Sequence, residues 1–192
     1  MTSIHPVTPD RWDDLEAVLG PSGGDGGCWD IFWRLTGTEY AASNRVRNRA
    51  LLHELVTAGE VPAGLLAYRD GQPAGWVSVG PRSAYRRLAR SRHFPPVDDA
   101  VVHSVICLRV ARPHRGAGVA RALVEATIEA GRAAGAAAVE AYPVDTGGRV
   151  LDATAAFCGT LDLFTAAGFT LVRDTTGAVS GGCPRVIVRH PC

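Results

Sequence analysis

The sequence predicts an α/β fold, a mixed and mostly antiparallel sheet with helices on both faces. Three observations carry this. Two apolar runs, Ala63 to Tyr68 and Ala74 to Val79, flank Asp70-Gly71, a strong hairpin-turn signal. Two further apolar strands, 101–110 and 136–142, enclose a long alanine-rich helix, the pattern of a strand–helix–strand crossover. A last helix and a second hairpin end the chain. The 192 residues fit a single domain with a full hydrophobic core.

The elements follow in order. Pro9-Asp10 opens a first helix over 9–19, with Leu15, Val18 and Leu19 as its apolar stripe. Residues 21–27 are a flexible loop whose glycine-rich part, 23–27, is expected to move as a lid, and Cys28 to Trp33 is an aromatic-rich segment. A second helix over 43–58 starts at Ser43, a suitable cap, and ends at Gly59. Residues 1–60 thus read as a helical segment and 63–190 as the sheet-bearing core. After the first hairpin comes a polar connection over 80–99, strongly basic between Arg82 and Arg92. The strand 101–110 is mostly apolar, as expected for one covered on both faces. The helix 118–134 and the strand 136–142 follow. A helix over 154–167 stops at Gly168, and the strands 170–173 and 185–189 close the chain.

Composition narrows the function. Apolar residues make up 46% and charged residues 20%, a globular balance, with a net charge of +1. That charge gives no reason to expect a nucleic acid or a membrane as partner. All 20 basic residues are arginine. The chain therefore has no lysine to act as base or Schiff-base nucleophile, and many planar forks suited to phosphates. Five cysteines, at 28, 107, 158, 183 and 192, show neither CxxC nor zinc-ligand spacing. They read as reduced thiols in a cytoplasmic protein that holds no metal. The N-terminus lacks the basic flank and apolar core of a signal peptide, and no apolar run reaches the length of a membrane span.

The strongest local signal is Arg115-Gly116-Ala117-Gly118-Val119-Ala120, between a buried strand and the start of a long helix. Small residues let an anion approach the backbone, and successive N–H groups with the helix dipole point at it. Without lysine the loop is not a Walker A loop. Arg121 follows where a dinucleotide loop wants a small residue, and an antiparallel hairpin precedes it, so that reading fits poorly.

This stretch resembles the pyrophosphate loop of the GNAT N-acetyltransferase superfamily, Gln/Arg-x-x-Gly-x-Gly/Ala. Phe164-Thr165-Ala166-Ala167-Gly168-Phe169 resembles the family's Tyr-x-x-x-Gly-Phe helix ending. The resemblance spans roughly 63–190. It implies a GNAT-like fold whose two parallel central strands splay apart to admit acetyl-CoA. It implies that Cys107, Leu108 and Val110 offer backbone groups to the pantetheine arm. It also implies that the N–H groups of Arg115, Gly116, Ala117, Gly118, Val119 and Ala120 hold the pyrophosphate. The acceptor side would be built from Trp29, Phe32, Trp33 and Tyr40 together with the 80–99 connection, and many relatives pair as homodimers.

The implied activity is transfer of an acetyl group to a primary amine of a small molecule or peptide, by direct attack on the thioester. A backbone N–H near Leu108 would polarise the carbonyl. The family's usual proton donor is a tyrosine where this chain has Phe164, and its usual asparagine is matched by Phe157. Tyr142 is the nearest replacement acid. Glu140 and Asp145, on either side of it, are the candidate bases, with Glu140 and Tyr142 on one face of the strand. Cys107 as an acyl-carrying nucleophile, a coenzyme sensor without turnover, and a longer acyl chain are the alternatives.

Overall fold

The computed structural model describes residues 1–59, 61–152 and 154–192. Seven strands join one sheet in the order β1-β2-β3-β4-β5-β7-β6. These are β1 (Thr2–Pro6), β2 (Leu65–Arg69), β3 (Gln72–Pro81), β4 (Val102–Val110), β5 (Ala138–Ala141), β6 (Thr170–Ser180) and β7 (Cys183–Pro191). Only β4 and β5 run parallel; every other pairing between named strands is antiparallel. The mixed sheet expected from the sequence is therefore the one observed. Its first hairpin turns where expected: Asp70 and Gly71 both sit at positive φ, 51° and 78°, which matches the twist of the flanking strands.

Helices cover both faces. On one, α5 (Val119–Ala133) and α6 (Leu161–Ala166) bury Leu123, Val124, Ile128 and Phe164 against Val79, Val105, Val139 and Val188 of the sheet. On the other, α1 (Trp12–Leu19) and α3 (Arg45–Ala58) pack Leu15, Val18, Leu52 and Val56 onto Leu66 and Trp76. Two short helices, α2 (Gly37–Ala41) and α4 (Arg86–Ala89), lie in the connections. Among the described residues no helix is long and apolar enough to cross a membrane.

Three details depart from the sequence reading. Thr2–Pro6 adds an edge strand to β2 that no periodicity announced. Asn44, rather than Ser43, caps α3: its side chain accepts from the Arg47 N–H at 3.0 Å, an interaction worth about 1 kcal/mol. Ser43 instead donates to Asn48 at 2.6 Å. The helix expected over 154–167 is confined to Leu161–Ala166, capped by Thr160. The residues before it are drawn to β4, for a reason that belongs to the site.

Candidate functional site

The two central strands part early. Their ladder runs only from Val102 opposite Ala138 to Val105 opposite Ala141. Just beyond, the β3–β4 register shifts: Ser78 faces Cys107 but Val79 faces Val105, so Ile106 is an extra residue in β4. Such a bulge bends its strand and increases the local twist. The outer half of β4 then has no strand on its β5 side, and its backbone groups need other partners. Residues 157–158 supply two of them. The Leu108 N–H donates to the Phe157 carbonyl at 2.8 Å, and the Cys158 thiol lies 3.3 Å from the Ile106 carbonyl. This docking keeps 154–159 out of α6. It also places the Phe157 carbonyl on the very N–H expected to polarise a thioester.

A cleft of about 960 Å³ follows this outer half of β4. Its walls are the end of α1 with Gly20, Gly23 and Gly24, the 28–40 segment, Leu151, and residues 154–163. The loop at 20–24 is tied down, with Gly24 N–H on Leu19 O at 2.9 Å and Trp29 N–H on Gly23 O at 2.8 Å. At one end the cleft meets Arg109, Arg112, Arg115 and Ala120, beside the N-terminus of α5. Gly116 and Gly118 stand at φ 74° and 80°, and a Cβ on either would meet nothing within 4 Å. The loop thus exposes backbone to open space while its underside is anchored, Arg69 donating to Ala117 O at 3.0 Å. Three guanidinium groups and a helix N-terminus make this end fit for phosphates. Of the residues expected to hold the coenzyme, Cys107, Leu108, Val110, Arg115 and Ala120 line the cleft, while Gly116, Ala117, Gly118 and Val119 do not, Val119 being buried in the core. Among the described residues, no three His, Cys, Asp or Glu side chains are grouped to hold a metal ion.

The other end is formed by Cys28, Asp30, Phe32, Trp33, Tyr40, Ile106 and Cys107. Trp33 is there as expected, edge-on to Phe32 at 5.1 Å between ring centroids. Trp29 is not: it is buried in the helical core, stacked on Trp12 at 6.3 Å. The basic stretch after Pro81 stays away from the cleft. Its Arg87 lies over the Phe32 ring at 4.1 Å, behind the cleft wall, and Arg86 pairs with Glu39 at 2.9 Å. Burial, then the field of Asp30, push the Cys107 thiol well above its ordinary pKa. That opposes a nucleophilic role, because the thiolate is the reactive form.

The three residues put forward for acid–base chemistry lie elsewhere. Glu140 and Tyr142 do share a face, and the Tyr142 hydroxyl donates to Glu140. Both are buried in a closed polar cluster. Glu140, fully inaccessible, accepts from Arg82 at 2.8 Å and from Arg189 at 2.8 Å, and Tyr142 meets Ser104 at 2.9 Å. Asp145 closes a turn, accepting from the Gly147 N–H at 3.1 Å. None of the three lines the cleft. Phe164 is fully buried against Phe169, with ring centroids 5.1 Å apart.

Asp30, passed over in the sequence, does line the cleft. It is 6% exposed, and among the described residues neither carboxylate oxygen has a well-aligned hydrogen-bond partner, although the Ser78 hydroxyl, the Cys107 thiol and the Trp76 indole N–H lie close to it. Arg34 is 3.8 Å away, too far for a hydrogen bond. Burial raises its pKa, and Arg34 opposes the shift. Its backbone holds φ at 61°, an uncommon conformation for a residue with a side chain. No local motif marks it, since the residues around it come from β3 and β4.

Comparison with known proteins agrees with this geometry. No curated protein matches the chain. The fold recurs in a ribosomal-protein-alanine N-acetyltransferase from Brucella melitensis, at 20% identity and TM-score 0.55 over 99% of both chains. It recurs in a structure titled histone acetyltransferase HPA2 and related acetyltransferase, from Corynebacterium glutamicum ATCC 13032, at 18% identity and TM-score 0.60 over 100% of this chain and 97% of that one. Arabidopsis thaliana NAA60 in complex with acetyl-CoA aligns over 100% of both chains at 16% identity and TM-score 0.55. A sequence model of the acetyltransferase (GNAT) family matches residues 28–150, more than half of the chain. With a splayed parallel pair, a glycine loop at a helix N-terminus and a cleft joining them, the chain belongs to the GNAT family of acetyltransferases.

Proposed function

We propose that this acetyltransferase uses acetyl-CoA to acetylate a primary amine of a small molecule or peptide, by direct attack on the thioester. One observation carries the reading: a single cleft runs from Arg115 and Ala120, at the two ends of the glycine loop, to the edge of β4 at Cys107 and Leu108. Phosphates at the loop and the pantetheine arm along β4 would bring the thioester beside Leu108. The Leu108 N–H becomes the oxyanion donor once the Phe157 carbonyl gives way. Phe164 has no hydroxyl and lies in the core, so the departing sulfur takes its proton from the attacking nitrogen. Glu140 and Tyr142 serve the fold by joining β5 to β7 and the connection after β3, rather than the chemistry. The five free thiols favour a reducing, cytoplasmic setting.

Isothermal titration with acetyl-CoA and with desulfo-CoA, followed by thiol release across a panel of amines, tests the reading. Binding with acceptor-dependent thiol release is expected; no binding of either ligand would overturn it. The Phe157 contact on Leu108 favours a second reading, a sensor that binds coenzyme without turnover. Binding with no thiol release on any amine would select it.

A further inference from the structure

We infer that Asp30 binds the ammonium of the acceptor and takes its proton, and that the acceptor is therefore a cationic primary amine on an apolar or aromatic stem. The inference rests on the acetyl-transfer reading above and deepens it.

The geometry carries it. Asp30 is a cleft-lining carboxylate whose side chain is only 1% exposed and whose oxygens have, among the described residues, no well-aligned hydrogen bond, only the near approach of Ser78, Cys107 and Trp76. A buried anion without well-aligned hydrogen bonds is costly to keep and persists where function uses it. Cys107, which faces it from β4, is the neighbour in sequence of Leu108, so the carboxylate lies one residue along the strand from the proposed oxyanion donor. The surrounding walls are Phe32, Trp33 and Tyr40, ring faces suited to an apolar stem and a cation. The groups that face Asp30 are Arg34 on its own segment, Ser78 and Trp76 of β3, Tyr85 after β3, Cys28, Cys107 of β4, and Cys158. Of these only Arg34 is a cation, and it is also committed to Ala63 O at 3.2 Å and to Ser78 at 3.3 Å.

The step balances. One ammonium proton moves to the Asp30 carboxylate. The freed nitrogen lone pair attacks the thioester carbonyl carbon, a C–N bond forms, and the C–S bond breaks. The sulfur leaves with the electron pair and takes the second proton from nitrogen. Asp30 then releases its proton to water. Burial raises the basicity of this carboxylate above that of an exposed aspartate, which suits the role.

The test compares the wild type with Asp30→Asn. Asparagine has the same shape and tolerates the left-handed backbone at position 30. The acceptor probes are 2-phenylethylamine and phenylalanine, whose carboxylate would face Asp30. The expected result is acetylation of 2-phenylethylamine well above phenylalanine. Asp30→Asn should lose roughly 100-fold or more in kcat/KM, the range of a general base. The acidic limb of its pH profile should vanish, while acetyl-CoA affinity stays within about threefold. A merely structural carboxylate would lower Tm and leave the limb in place. Three results would overturn the assignment: an Asp30→Asn variant within about threefold of the wild type with its acidic limb intact, a preference for phenylalanine, or a wild type that binds acetyl-CoA yet acetylates neither probe. In each of these the acetyl-CoA reading survives. A wild type that does not bind acetyl-CoA sinks both.

Discussion

Substituting Glu140 by glutamine should destabilise the protein strongly and leave its catalytic pH profile untouched. The carboxylate is fully buried and accepts from two guanidinium groups, Arg82 and Arg189, each only 12% exposed. Glutamine keeps the volume and one acceptor oxygen but removes the charge. Arg189 retains Asp98 at 2.7 Å, while Arg82 keeps only neutral partners. Removing one member of a buried ion pair costs about 3–5 kcal/mol, and the retained amide places this change near the lower figure, about 3 kcal/mol. In a chain of this length each kcal/mol moves Tm by about 2–4 °C, so the expected fall is about 6–12 °C. Thermal unfolding followed by circular dichroism gives the shift, and kcat/KM against pH gives the second arm. A fall of less than about 2 °C, or a pH profile that loses its acidic limb, would refute the structural assignment and return Glu140 to the chemistry.

Three other outcomes are expected. Gly118→Ala puts a Cβ into the open space beside the glycine loop and costs about 1–2 kcal/mol for its left-handed backbone. Acetyl-CoA affinity by titration calorimetry should drop by roughly tenfold or more, and unchanged affinity would contradict phosphate binding there. Phe164→Tyr introduces a hydroxyl into a filled core, at a cost of about 1–3 kcal/mol. Its turnover should not rise, whereas a large gain in thiol release would show that only the hydroxyl had been missing. Glu39, held by Thr36 backbone and side chain and then by Arg86, has its pKa lowered to about 2. A depressed carboxylate stabilises fully above its unfolded value and loses that contribution as pH falls through the folded one, so α2 should loosen between about pH 4.5 and 2. Fluorescence of Trp33, next to the Phe32 ring packed on Tyr40, reports it; a flat signal over that window would count against the capping contact.

What could be read in the sequence was local. Asp70-Gly71 fixes its hairpin by two consecutive backbone angles, and the glycine loop displays its small residues side by side. The β4–α5–β5 crossover announces itself by apolar runs of the right length. What escaped depends on distant partners. Thr2–Pro6 is short and becomes a strand only because Leu65–Arg69 offers it an edge. Glu140 looks like a base until Arg82, 58 residues earlier, and Arg189, 49 residues later, close around it. Asp30 looks like an ordinary loop carboxylate until Cys107 and Ser78 are brought against it. The helix over 154–167 failed for the same reason, since its first turn is worth less than the hydrogen bonds that β4 offers.

The bulge at Ile106 has a thermodynamic consequence. Past it, β4 is a raw sheet edge, and the chain dresses that edge with its own residues 157–158. A coenzyme arm lying there would add itself as a substitute strand, making the contacts that the departing peptide gives up. The exchange conserves hydrogen bonds, so the pantetheine arm contributes little net affinity. Affinity would then come from the charged end at Arg109, Arg112 and Arg115, and should weaken steeply with salt. The peptide at 157–158 would act as a built-in competitor, setting how tightly the coenzyme is held and how readily it is released after transfer.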